Sequence, residues 1–206
     1  MRRLCQIRPI RPSGQGAFPL RSGIHYSGSC HANALRTLAF AALALLPAVS
    51  EAAAPVLRVS KSVIIHATPA AVWAKAKDFD ALNTWHPAVA KDEIVAGTNN
   101  RPGAERRLTL GNGGTIDEKL LGFDDARRQF RYAILGGVLP VSHYTSTFRV
   151  VAVGKDSARV TWPGAFKRKD TGPHPAADAN DAAATTAIGG VYPSGLDNLK
   201  KLLEAD

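Results

Sequence analysis

The sequence predicts an α+β domain: a curved antiparallel sheet of about seven strands around a long C-terminal helix, with two short helices after the first strand. Three features carry that prediction. Residues 92–168 run strand, turn, strand, with links far shorter than the dozen or so residues a parallel crossover needs. The tail YPSGLDNLKKLLEAD has helical spacing. Between an opening stretch rich in β-branched residues and the meander stands a helix start, Thr68 followed by Pro69.

Residues 1–54 differ from the rest in composition. They hold six arginines (Arg2, Arg3, Arg8, Arg11, Arg21, Arg36), no lysine and one acid, Glu51. A basic stretch ending at Arg36 leads into apolar residues 38–49 (LAFAALALLPAV) and then small residues, SEAAAP. That layout is a secretory signal, so we expect a leader over 1–54, cleavage near 50–54 and an exported, periplasmic protein. The apolar stretch, broken by Pro47, falls short of the roughly 20 residues a membrane span requires. Residues 1–34, punctuated by Pro9, Pro12, Gly14, Gly16, Pro19 and Gly23, show no periodicity. They read as a disordered extension ahead of a start near Leu35.

Setting the leader aside changes the charge. Basic residues fall to 26 − 6 = 20 and acids to 17 − 1 = 16, so the formal +9 becomes +4 over 55–206. With no basic run longer than Lys167–Lys169, the stripe that nucleic acid requires is missing. Cys5 and Cys30 both lie in the leader, which excludes a disulfide, a thiolate nucleophile or a cysteine-held metal from the remainder. His66, His86, His143 and His174 lack the i, i+4 spacing of zinc helices. With no GxSxG, phosphate loop or dinucleotide fingerprint either, no metal and no cofactor are expected. Residues 55–206 suit one domain with one core.

Residues 56–66 (VLRVSKSVIIH) alternate as a first strand. Thr68 caps a short helix over 69–79, a second turn follows over 80–84, and Pro87 biases His86 to an extended conformation. Strands are expected near 92–97, 104–111, 114–123, 128–136, 141–154 and 157–168, with 170–180 as loop. In the tail, Leu196, Leu199, Leu202 and Leu203 are expected on one face and Lys200, Lys201 and Glu204 on the other. If that helix begins upstream near Asp181, Pro193 must kink it.

Parity assigns strand faces. Phe130, Tyr132 and Ile134 share one side, as do Tyr144, Ser146, Phe148 and Val150, and likewise Val160, Trp162 and Phe166. His143, Thr145, Thr147 and Arg149 face water. Only the C-terminal helix can cover the aromatic faces. Around GNGG, Arg106 shares a side with Leu108 and Leu110, and Glu118 with Ile116 and Leu120. A three-residue loop, Gly111 to Gly113, sets Arg106 opposite Glu118, whereas the commoner two-residue turn would place them on opposite faces. We therefore expect the odd-length loop. A buried ion pair costs several kcal/mol in desolvation. It is either a polar device that orients a ligand in an apolar cavity or a structural pair near the sheet edge.

The strings DFDALNTWHPAV, PGAERRLTLGNGGTIDEKLLGFD, YAILGGVLPVSHYTSTF and YPSGLDNLKKLL resemble the SRPBCC, START-like superfamily over about residues 56–205. Within it the chain is similar to the polyketide cyclase/dehydrase branch, to the plant abscisic-acid receptors and to exported accessory proteins of bacterial methanol oxidation. The resemblance implies a helix-grip fold. It places a ligand-anchoring position at His86, a pocket glutamate at Glu118 and a pocket tyrosine at Tyr144. The receptor gate corresponds to GNGG around Asn112, without that family's leucine and proline. The latch corresponds to Gly136–Pro140, without its histidine and arginine.

Trp85, His86, Arg106, Glu118, Tyr132, Leu139, Tyr144, Trp162, Phe166 and Tyr192 are the expected ligand-binding set. His86 is a ligand anchor, a proton-transfer group or a loop histidine fixed by Pro87. Glu118 as a catalytic carboxylate needs a raised pKa, which a facing Arg106 opposes. Three functions remain open. The first is an exported binding protein for a small apolar or amphipathic molecule. The second is an accessory protein docking on a periplasmic dehydrogenase. The third is a cyclase or dehydratase using His86 and Glu118.

Overall fold

The computed structural model describes residues 53–205; the expected leader lies outside them except for its last two residues. Strand β1 (Leu57–Ile65) leads into helix α1 (Pro69–Ala76), where the Thr68 hydroxyl accepts from Ala71 N at 3.2 Å. A single 3-10 turn, Leu82–Thr84, precedes β2 (Val89–Ala96). Strands β3 (Glu105–Leu110), β4 (Thr115–Asp124), β5 (Gln129–Gly137), β6 (Val141–Ala152) and β7 (Ala158–Arg168) follow, then helix α2 (Asp181–Glu204).

The seven strands form one antiparallel sheet in the order β1-β7-β6-β5-β4-β3-β2. The meander is the predicted one, and β1 joins it by pairing with β7, so that Leu57 faces Phe166 and Ile65 faces Ala158. Thus the α+β helix-grip arrangement holds, with α2 packed across the concave side.

The β3–β4 hairpin has the odd-length loop. Leu108 pairs with Ile116 and Thr109 with Thr115, and Leu110 N donates to Gly114 O at 2.8 Å, leaving Gly111, Asn112 and Gly113 as the turn. Gly113 sits at φ +84°, the left-handed position such three-residue loops require and glycine adopts without strain.

Helix α2 takes the longer of the two readings. Its cap is Asn180, whose side chain accepts from Ala183 N at 2.9 Å, and it runs through Pro193. Arg168, at the end of β7, fixes this start by bonding Asp170 O, Gly172 O and Asp181 Oδ1 at 2.7, 2.8 and 2.9 Å. The buried face is Ala184, Ile188, Tyr192, Gly195, Leu196 and Leu199. Leu202 departs from the expected buried face and is 45% exposed; it lies in the last turn of the helix, which ends at Glu204. At the far end Lys200 Nζ donates to Ile64 O at 2.8 Å and His66 N to Glu204 Oε1 at 2.6 Å, tying the helix to β1.

Other boundaries move slightly. Helix α1 ends at Ala76 rather than 79, and β2 starts at Val89 rather than 92. A bulge between Ser142 and Thr145, with His143 at φ +50°, buries Val141 on the same side as Tyr144 despite their opposite parity. Among the described residues no helix is long and apolar enough to cross a membrane.

Candidate functional site

The concave side of the sheet and α2 enclose one core, and its centre is aromatic. Trp162 and Tyr192 stack with centroids 4.7 Å apart, and Trp85 lies 5.8 Å from Trp162 and 5.6 Å from Phe148. What these rings leave unfilled is a cavity of about 70 Å³ lined by Leu82, Ala88, Val89, Leu108, Leu110, Ile116, Ile134, Ile188 and Val191, together with His86, Glu118, Tyr132, Leu139, Tyr144 and Trp162. An engineered cavity of about 150 Å³ accommodates benzene, so this one has room for a molecule of only a few heavy atoms. The interior is narrow because aromatic rings from several elements, among them Trp85, Phe148, Trp162 and Tyr192, occupy its centre. A larger depression of about 440 Å³, between Leu121 and Arg149, opens on the outer face of the sheet.

Of the expected set, six residues line the cavity: His86, Glu118, Tyr132, Leu139, Tyr144 and Trp162. Trp85, Arg106, Phe166 and Tyr192 are buried in the layer behind it.

Arg106 and Glu118 face each other across β3 and β4, as the loop length demanded. Arg106 Nε and Nη2 both donate to Glu118 Oε2, at 2.8 and 2.6 Å, and Nη1 reaches Phe79 O and Asp92 Oδ2. The guanidinium lies over the Phe79 ring, 4.1 Å from its centroid. Asp92 also accepts from Leu82 N at 2.9 Å through Oδ2, while its Oδ1 is buried without a partner. Glu118 Oε1 takes no hydrogen bond among the described residues. The cluster therefore holds two carboxyl groups against one guanidinium. Burial pushes both Glu118 and Asp92 up from the usual carboxylate range, with Arg106 opposing. Burial works against the Arg106 cation, but the two carboxylates outweigh it and raise its pKa.

His86 sits beneath α2 with both ring nitrogens engaged. Nε2 is 3.0 Å from Val191 O, and Nδ1 is 3.3 Å from Ala88 N. A carbonyl only accepts and an amide N–H only donates, so the ring is the neutral Nε2–H form. Burial holds its pKa below 6.5, which agrees. The approach depends on Gly195, where an added Cβ would lie 2.5 Å from His86 Cδ2.

The tyrosines form a chain whose direction is fixed at one end. Ser146 Oγ donates to Pro163 O at 2.8 Å, so the Tyr192 hydroxyl must donate to Ser146, 3.2 Å away. Tyr144 then donates to Tyr192 at 2.5 Å, Tyr132 to Tyr144 at 3.2 Å, and Trp162 Nε1 to Tyr132 at 3.0 Å. Each donor is committed. Burial raises Tyr132 and Tyr144 well above 10 and pushes Tyr192 up to about 12, so all three remain hydroxyls.

Three loops close the cavity. Gly111 N donates to Ala88 O at 3.1 Å, and Val138 N to Thr115 O at 3.0 Å, joining the β3–β4 hairpin to both the segment after His86 and the β5–β6 turn. Sequence reasoning missed several site residues, among them the lining residues Leu82, Val89, Ile188 and Val191 and, behind the cavity, Asp92. Asp92 lies on an edge strand with two register shifts, which scramble parity; Ile188 is one turn before Tyr192, in the half of α2 that carries little periodic signal. Among the described residues no three His, Cys, Asp or Glu side chains gather as metal ligands do.

A curved antiparallel sheet gripping a long C-terminal helix over a small interior defines the SRPBCC, START-like class. The chain belongs to the family described as polyketide cyclase / dehydrase and lipid transport, which matches residues 56–204. Among solved structures it is similar to the protein XoxI of Bacillus cereus, at 27% identity over 71% of this chain and 94% of that one, TM-score 0.62. A Bacillus thuringiensis protein of uncharacterised function aligns at 26% identity over 71% and 98%, TM-score 0.63. The ZhuI aromatase/cyclase of Streptomyces sp. R1128 shares the fold at 18% identity over 73% and 94%, TM-score 0.59. None of the curated proteins matches the sequence.

Proposed function

We propose that this protein binds a small ligand in the cavity between α2 and the sheet and works as an exported carrier or sensor of it. The observation that carries this reading is the cavity itself: apolar walls with one carboxyl group, Glu118, on its lining. A chain selected only for stability would fill such a space, since a buried ion pair is no better than a well-packed apolar substitute. The secretory layout of residues 36–54 supports export. A small ligand fits the volume; a polyketide-sized one does not unless the three loops part.

The test is native mass spectrometry of protein from its own host, paired with amide NMR of the purified protein titrated with small molecules. A retained ligand, or saturable shifts at Ile116, Tyr132 and Ile188, supports the reading. An empty interior that no probe perturbs, xenon included, defeats it.

A second reading, an accessory protein docking on a periplasmic dehydrogenase, draws on the likeness to XoxI and on the resemblance to methanol-oxidation accessory proteins. Recovery of a dehydrogenase on affinity capture from periplasm would favour it. Acid–base catalysis by His86 and Glu118 has less support, because both nitrogens of His86 are held by backbone groups.

A further inference from the structure

The proposed binding function leaves the chemistry of the ligand open, and the hydrogen-bond inventory narrows it. Each side-chain donor on the cavity wall is spent: His86 on Val191 O, Trp162 on Tyr132, Tyr132 on Tyr144 and Tyr144 on Tyr192. The remaining side-chain capacity is acceptor only, the unpartnered Oε1 of Glu118 and lone pairs on the tyrosine oxygens. Behind Glu118 the buried cluster of Arg106, Glu118 and Asp92 is one positive charge short when both carboxyl groups are ionised. Glu118 and Arg106 are each at least 95% buried, so solvent counterions do not supply it.

We propose that the cavity takes a small cationic hydrogen-bond donor, ammonium or a short primary alkylammonium, with its nitrogen on Glu118 Oε1 and its carbons against Leu108, Ile116 and Ile188. The inference rests on the binding function proposed above. An anion would meet only acceptors and a net negative charge. A neutral alcohol could donate once but would leave the charge unbalanced. The upward push of burial on both carboxyl groups is the strain that a cation in the cavity would relieve. At about 70 Å³, the space suits two to four heavy atoms by comparison with the roughly 150 Å³ that holds benzene.

The experiment is an amide NMR titration of the protein with ethylammonium chloride, ethanol and sodium acetate at matched ionic strength, with xenon as a probe of the cavity alone. Ethylammonium is expected to bind at least about tenfold more tightly than ethanol, the usual worth of a charge-assisted hydrogen bond, and acetate not to bind. Glu118→Gln, which keeps the shape, and Asp92→Asn, which removes charge without touching the ligand, should each bring the ethylammonium preference close to that of ethanol. Should Glu118→Gln fail to fold, Asp92→Asn and the wild-type order of affinities still decide. Ethanol binding as well as ethylammonium, or a full ethylammonium preference surviving in the folded variants, overturns the inference while leaving the binding function intact. Xenon entering without effect from any of the three solutes also overturns it. No response even to xenon removes the binding function as well.

Discussion

Gly195 lets the His86 ring rest on the helix, and two opposing effects meet there. Alanine gains about 1 kcal/mol of helix propensity over glycine, but its Cβ would lie 2.5 Å from His86 Cδ2 and 3.2 Å from Trp162 Cζ3, both parts of buried rings. Overpacking of that kind costs about 1–3 kcal/mol, so Gly195→Ala should lower stability in urea unfolding. At Gly189 and Gly190 an added Cβ meets nothing within 4 Å, and alanine there should stabilise by about 0.5–1 kcal/mol. If all three substitutions stabilise alike, the close approach of His86 is wrong.

The imidazole itself makes a pH prediction. Burial depresses its folded pKa below 6.5, so between that depressed value and 6.5 the unfolded chain binds more protons and stability rises with pH. His86→Gln lacks this dependence. The stability gap between wild type and His86→Gln should be widest above 6.5 and narrow as pH falls. Asp92 and Glu118, shifted the other way, titrate in both proteins and largely cancel in the difference. Denaturant midpoints at several pH values measure the gap, and a gap independent of pH contradicts a buried neutral ring. Strand parity with an odd-length loop sets Arg106 against Glu118, yet parity says nothing of Asp92, because β2 slips register after Val89 and after Ile94.

The β3–β4 hairpin depends on an odd loop. Deleting Asn112 leaves two residues between Leu110 and Gly114, and one strand must then turn its inward set outward, parting Arg106 from Glu118. Splitting a buried charge pair costs about 3–5 kcal/mol. Inserting two residues after Asn112 preserves parity, and lengthening a flexible loop costs under about 1 kcal/mol. The deletion should therefore unfold at much lower urea than the insertion, although it changes the loop by fewer residues; equal losses would mean that register is not set by this pair. The strands were legible because alternation is strong in β4, β6 and β7. Helix α2 was legible only after Tyr192. Its first half, DAAATTAIGGV, buries Ala184 and Ile188, small or isolated side chains that give little periodic signal, and Pro193 looks like a break although the helix continues through it.

The domain as a whole is joined by rings. Trp73 on α1 lies 6.1 Å from Phe130, Phe130 stacks on Phe148 at 5.3 Å, and Phe148 touches Trp85 and Trp162, which leads to Tyr192 on α2. Sequence periodicity shows which of these rings point inward; how closely they stack, and so how small the cavity becomes, depends on contacts between residues far apart in the chain. One physical consequence reaches across the molecule. The three tryptophans, all buried, sit at the α1 end and at the centre of one unbroken core that includes the strands and α2. A core of this size without an internal boundary unfolds as one unit. Variants retaining Trp73 alone, Trp85 alone or Trp162 alone, each with phenylalanine at the other two sites, should each show fluorescence and far-UV circular dichroism midpoints that coincide within that variant, whatever its overall stability. A Trp73 signal that moves at lower urea than the dichroism would mean that α1 and the β4–β5 end open separately, and the cavity would then have a route to solvent independent of the three loops that close it.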